Sequence, residues 1–102
     1  MNVGVLRFSL RIPESGSLKD KRQVVRSVAQ RIRNKFSVSV AEVDDNDAWQ
    51  IATLGVAVVA NDARHCEQVL AEIVAYVRAS RLDAEVLDVQ SEVIALSNDH
   101  EL

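Results

Sequence analysis

Lys19, Arg22, Arg26 and Arg33 follow one another at spacings of three, four and seven residues. On a helix, all four would fall within about 60° of one another. They sit in LKDKRQVVRSVAQRIRNKF, residues 18–36, where seven Lys or Arg accompany one acid, Asp20. A surface rich in cations and poor in acids can neutralise neighbouring phosphates, and each neutralisation releases counterions. The four residues are therefore candidate nucleic-acid contacts, with Arg7 and Arg11 as further candidates on a neighbouring segment. The competing reading is an ordinary amphipathic helix whose long basic stems cover the rim of a core while their charges stay in water.

Other chemistry-bearing residues lead less far. Asp44, Asp45 and Asp47 crowd one segment. A calcium loop counted from Asp44 needs glycine at its sixth position and glutamate at its twelfth, and here these are Trp49 and Gly55. No metal is expected. His65 and Cys66 are adjacent, which would point them about 100° apart on a helix, too far for a catalytic pair. Gly4, Gly16 and Gly55 are too scattered to form a phosphate-cradling loop. No catalytic residue and no cofactor is assigned, and the chain is expected not to be an enzyme. Trp49 is read as a core or edge-packing residue.

At 102 residues the chain is expected to form one domain, over 1–96, with a frayed C-terminal tail at 97–102. Its 48% hydrophobic and 26% charged content is that of a globular protein. Cys66 is the only cysteine, so no internal disulfide forms and no oxidising compartment is implied. The opening MNVGVLRFSLRI carries Arg7 and Arg11, unlike a signal peptide, and no apolar run approaches membrane-spanning length. A cytoplasmic location without membrane association is expected. The net charge of −3 is unevenly spread: +7 through Phe36, and −10 from Ser37 onward.

The elements that must position these residues follow from periodicity. Residues 3–12 alternate, with Leu6, Phe8, Leu10 and Ile12 sharing one parity, which predicts a strand. Ser17 and Asp20 make a capping box that opens a helix running to about Lys35. Leu18, Val25, Val28, Ala29, Ile32 and Phe36 form its apolar stripe, flanked on the side away from the basic residues by Lys21, Arg31 and Lys35. Residues 37–43 and 51–60 read as strands joined by the polar segment DDNDAW. Asn61 or Asp62 caps a second helix, with Cys66, Val69, Leu70, Ile73 and Val77 on one face, ending near Ser80. Residues 84–96 form a last strand, with a bulge expected near Val93 and Ile94.

The order β-α-β-β-α-β predicts an α+β, ferredoxin-like fold, with two helices on one face of a four-stranded antiparallel sheet. The opposite face would then be open and would carry Val3, Val5, Arg7, Ser9 and Arg11 with Thr53, Gly55, Ala57 and Val59. Val3, Val5, Ala57 and Val59 are a candidate partner interface, including one with a second copy of the chain. None of the aromatic residues Phe8, Phe36, Trp49 and Tyr76 falls on that face, so base stacking on the sheet is not expected.

Residues 18–62, and above all LKDKR, VAEVDDNDAWQ and ATLGVAVV, resemble the YlxP-like family of small bacterial proteins, a domain of unknown function. The resemblance implies a ferredoxin-like fold and genes often found near those for translation initiation and ribosome maturation factors. It supplies no catalytic residues. Two expectations follow: an RNA- or ribosome-associated factor gripping phosphates through the basic helix, without DNA sequence specificity, or an interaction module that forms a homodimer through the open sheet face.

Overall fold

The computed structural model describes residues 1–13, 15–44, 48–80 and 84–97. The elements are β1 (Asn2–Arg11), α1 (Leu18–Lys35), β2 (Ser39–Asp44), β3 (Ile51–Ala60), α2 (Ala63–Ala79) and β4 (Glu85–Ala95). The sheet order is β2-β3-β1-β4, with every neighbouring pair antiparallel. This is the ferredoxin-like α+β arrangement.

The alternation of β1 decides which face is covered. Leu6, Phe8 and Leu10 are buried, as are Ala52, Leu54, Val56 and Val58 of β3, and together they meet the apolar stripes of both helices. α1 contributes Val25, Val28, Ala29 and Ile32, and α2 contributes Cys66, Leu70, Ile73 and Val77. Gly4 lies where α2 comes closest to the sheet. A Cβ added there would stand 3.0 Å from Val58 Cγ1, 3.1 Å from Cys66 Cβ and 3.1 Å from Leu70 Cδ1. The absent side chain sets the depth at which the helix seats.

The helix starts follow their capping chemistry. Ser17 accepts a hydrogen bond from the Asp20 N–H at 3.1 Å, and the Asp20 carboxylate accepts from the Gly16 N–H at 3.2 Å, one residue further back than a reciprocal box requires. Asp62 caps α2 by accepting from the Arg64 N–H at 2.9 Å.

Three local expectations are corrected. Leu18 is 37% exposed, because it stands in the first turn of α1, ahead of the buried stripe. β2 begins at Ser39, since the Val38 N–H donates to the Phe36 carbonyl at 3.0 Å and the chain must turn before it can extend. The bulge in β4 lies not at Val93 and Ile94 but at Asp88, whose φ is 53°. Arg7 pairs with Gln90 and Ser9 with Leu87, so Asp88 and Val89 together oppose Phe8. Aspartate is among the few side chains that tolerate this left-handed backbone. The tail expected to fray lies, from residue 98, outside the described residues. Leu96 and Met1, just before it, exchange hydrogen bonds at 2.7 and 3.0 Å.

The uncovered face of the sheet is built by register. Val3 is flanked by Val59 and Ile94, Val5 by Ala57 and Glu92, and Arg7 by Gly55 and Gln90. Ser9 and Thr53 bond side chain to side chain at 3.1 Å. Val43 of β2 leans over Gly55, its Cγ1 only 2.6 Å from where a Cβ on Gly55 would lie. The face forms a shallow trough of about 960 Å³. Among the described residues, no helix is long and apolar enough to cross a membrane.

Candidate nucleic-acid interface

α1 crosses the helix-bearing face of the sheet over β2 and β3. The two flanks of its buried stripe meet different neighbours. On one flank, Lys35 Nζ sits 5.1 Å from the centre of the Tyr76 ring of α2, and Phe36 meets the same ring edge-on at 5.8 Å. On the other flank, Arg33 donates from Nη2 to the Val40 carbonyl of β2. That bond fixes the side on which the basic stripe lies: Lys19, Arg22 and Arg26 share a flank with Arg33, so the stripe overhangs the β2 edge of the sheet.

The six candidate cations therefore divide. Arg33 fastens α1 to β2. Arg7 donates to Gln90 Oε1, and Arg11 lies 3.9 Å from Glu85 with both side chains more than half exposed, a weak pair. Lys19, Arg22 and Arg26 are exposed and form no ion pair or side-chain hydrogen bond with another described residue. Lys19 and Arg26 are seven residues apart, about 10 Å along the helix axis at 1.5 Å per residue. Asp20, the one acid in the segment, is turned back to Gly16. Glu42 of β2 shares the parity of the buried Val40 and so lies on the helix side of that strand, beneath the stripe; it is exposed and forms no ion pair with the three cations.

Two residues at the start of this stripe differ from the sequence reading. Lys21, read as a solvated flanking cation, is 3% exposed and donates from Nζ to the Ala48 carbonyl at 3.1 Å. Trp49, read as a packing residue, is 53% exposed. It stands between two tethered neighbours: Ala48 is held by Lys21, and Gln50 accepts from the Ile12 N–H at 2.7 Å while its side chain donates to the Pro13 carbonyl at 3.3 Å. A signal for Trp49 was present. Carrying the alternation of β3 back one step gives Trp49 the parity of Ile51 and Thr53, not that of the core residues Ala52 and Leu54.

The other candidates stay apart. Val3, Val5, Ala57 and Val59 lie together on the open face, a layer away from α1. Cys66 is buried with its thiol 3.8 Å from the Asn2 carbonyl, and His65 is exposed. Asp44 ends β2, while Asp45 and Asp47 fall outside the described residues. Among the described residues, no three His, Cys, Asp or Glu side chains converge.

The fold and its cation-lined edge define a small ferredoxin-like α+β protein. Residues 3–91 match a family described as "Protein of unknown function (DUF503)", and the chain belongs to that family. It is also similar to "Uncharacterized protein YlxP" of Bacillus subtilis (strain 168), with 33% identity over 75 residues, covering 74% of this chain and 82% of that protein.

Proposed function

We propose that this chain is a non-enzymatic, RNA-associated factor that grips phosphates through Lys19, Arg22 and Arg26. One observation carries the reading: three exposed cations share one flank of α1 with no ion-pair partner among the described residues, in a chain whose net charge is −3. Surface cations that serve only solubility gain from interspersed acids, whereas a phosphate grip needs their absence. The ribosome is the proposed setting. The test is RNA affinity measured across a salt series for the wild type and for Arg22→Glu with Arg26→Glu. The double variant should bind more weakly, with a log–log salt slope shallower by about 1.4, from roughly 0.7 per phosphate contact on single strands. Equal affinity and slope in the two proteins would end the proposal.

A second reading is favoured by a separate observation: Val59 is 65% exposed and Ile94 49% exposed, on either side of Val3 on the uncovered sheet face. The occupant proposed is a second copy of the chain. Three strands about 33 Å long and the six-residue β2, about 20 Å long, spaced about 4.8 Å apart, present roughly 570 Å². Two such faces would bury about 1,100 Å², just above the roughly 1,000 Å² that a specific interface should clear. Light scattering should give a dimer mass for the wild type and a monomer mass for Val59→Asp. A wild type that stays monomeric at micromolar concentration would refute self-association through this face.

A further inference from the structure

We infer that a second copy of the chain docks edge to edge on β4, pairing strand with strand and α2 with α2 about a two-fold axis at Ser91. The contact is separate from the uncovered sheet face and from the basic flank of α1.

Its first support is an unpaired strand margin. Met1 and Leu96 exchange hydrogen bonds, and the register of β1 with β4 runs unbroken from there to Arg7 and Gln90. Facing residues of an antiparallel ladder alternate between bonded and non-bonded pairs, so Val3 with Ile94, Val5 with Glu92 and Arg7 with Gln90 are the bonded ones. Ser91 and Val93 therefore turn their N–H and C=O groups away from β1. At the opposite margin of the sheet, Arg33 already occupies the Val40 carbonyl.

Its second support is a groove that runs beside this margin on the helix side of the sheet. It has a volume of about 570 Å³ and lies between Ala71, Val74 and Ala75 of α2 and Ser91 and Val93 of β4. Leu6, which faces Ser91, lines it from β1. Ala71 and Ala75 are exposed and small, which permits a second helix to approach closely.

Its third support is charge. Glu67 and Arg78 stand at the two ends of the α2 side of the groove, about 16 Å apart at 1.5 Å per residue. Both are exposed, and neither forms an ion pair among the described residues. Gly4, which faces Val93, lies against Cys66 and Leu70, so the Glu67 end of α2 lies toward Val93 and the Arg78 end toward Val89. A two-fold axis at Ser91 then brings Glu67 of each copy to Arg78 of the other. It also sets Ser91 against Ser91, Val93 against Val89, Glu92 against Gln90 and Asp88 against Ile94, with no like charges opposed. The bulge at Asp88 bounds the pairing. A margin used once in a two-fold contact does not propagate.

This side wall is narrower than the flat of the sheet, so the contact forms at higher concentration than association through the flat. Sedimentation equilibrium is run from micromolar to millimolar concentration on the full chain carrying Val59→Asp, which disables the uncovered face. A reversible dimer is expected at the upper end. Adding Glu67→Arg or Arg78→Glu alone should weaken it roughly tenfold or more, because each reversal sets like charges together at two symmetry-related places. The two reversals combined should restore it. Under mild oxidation Ser91→Cys should form a disulfide-linked dimer, since facing residues of a bonded antiparallel pair stand about 5.5 Å apart at Cα. Glu72→Cys, on α2 outside the groove, should not. A chain that stays monomeric to millimolar concentration, single reversals without effect, or a double reversal that fails to restore the dimer would each overturn the contact. Self-association that Val59→Asp abolishes at every concentration would leave it to the uncovered face alone and overturn the edge pairing.

Discussion

Lys21 Nζ donates to the carbonyl oxygen of Ala48 at 3.1 Å, and the side chain that reaches it is 3% exposed. The bond joins the first turns of α1 to the residues that lead into β3, across 27 positions of chain. Replacing Lys21 with Met keeps the apolar stem but leaves the buried end of this contact without its donor. We expect Lys21→Met to lower unfolding free energy by about 1.5–3 kcal/mol, the range for a hydrogen bond to a charged group. Urea denaturation measures it, and an unchanged midpoint with an unchanged slope would show the bond to be dispensable.

Arg33 should separate from its helical neighbours in stability measurements. Because it donates to Val40, Arg33→Ala should cost about 1–2 kcal/mol of stability. Arg22→Ala and Arg26→Ala, which break no bond to a described residue, should stay within about 0.5 kcal/mol of wild type. Thermal melts of the three single variants, run side by side, make the comparison. Equal effects from all three would contradict the division of the stripe.

Gly4 offers a test of how tightly α2 is seated. A methyl group there meets three side-chain carbons at 3.0–3.1 Å, so Gly4→Ala should destabilise by about 1–3 kcal/mol through overpacking. Denaturant unfolding would show it as a lower midpoint. A stabilised Gly4→Ala protein would mean that α2 can lift away freely.

Glu42 bears on the function rather than the fold. It stands on the β2 edge beneath the basic stripe without pairing to it, so Glu42→Lys should tighten RNA binding and steepen its dependence on salt. Filter binding at two salt concentrations reads both effects. A helix that is merely solvated predicts no change in either.

Much of the fold was legible because it rests on short-range periodicity. Phe8 buried and Arg7 exposed is a statement about parity alone, and that parity assigns Val3, Val5 and Arg11 to the uncovered face. Ser17 and Asp20 marked the start of α1 through local capping chemistry. The site was harder to read, because its differences are tertiary. On a helical wheel Arg33 looks the same as Arg22 and Arg26, and only the crossing of α1 over β2 brings the Val40 carbonyl within its reach.

Lys21 and Trp49 were misjudged for complementary reasons. Residue type argues that lysine belongs in water and tryptophan in the core, and both tendencies gave way to one local arrangement in which the lysine is enclosed and the indole displayed. The partner of Lys21 is a backbone carbonyl, which carries no signature of its own in the sequence. The bulge was missed because it exists only relative to β1: Asp88 and Val89 share the space opposite Phe8, a relation that β4 does not contain by itself.

That bulge also limits how the chain can assemble. β4 is an outer strand eleven residues long, a length that invites open-ended sheet growth from one molecule to the next. With Asp88, the fourth of its residues, turned to a φ of 53°, the strand carries a bulge and a carboxylate that interrupt a straight ribbon. Polymerisation along this margin is thereby disfavoured, so association through the flat of the sheet would yield closed particles, not fibres.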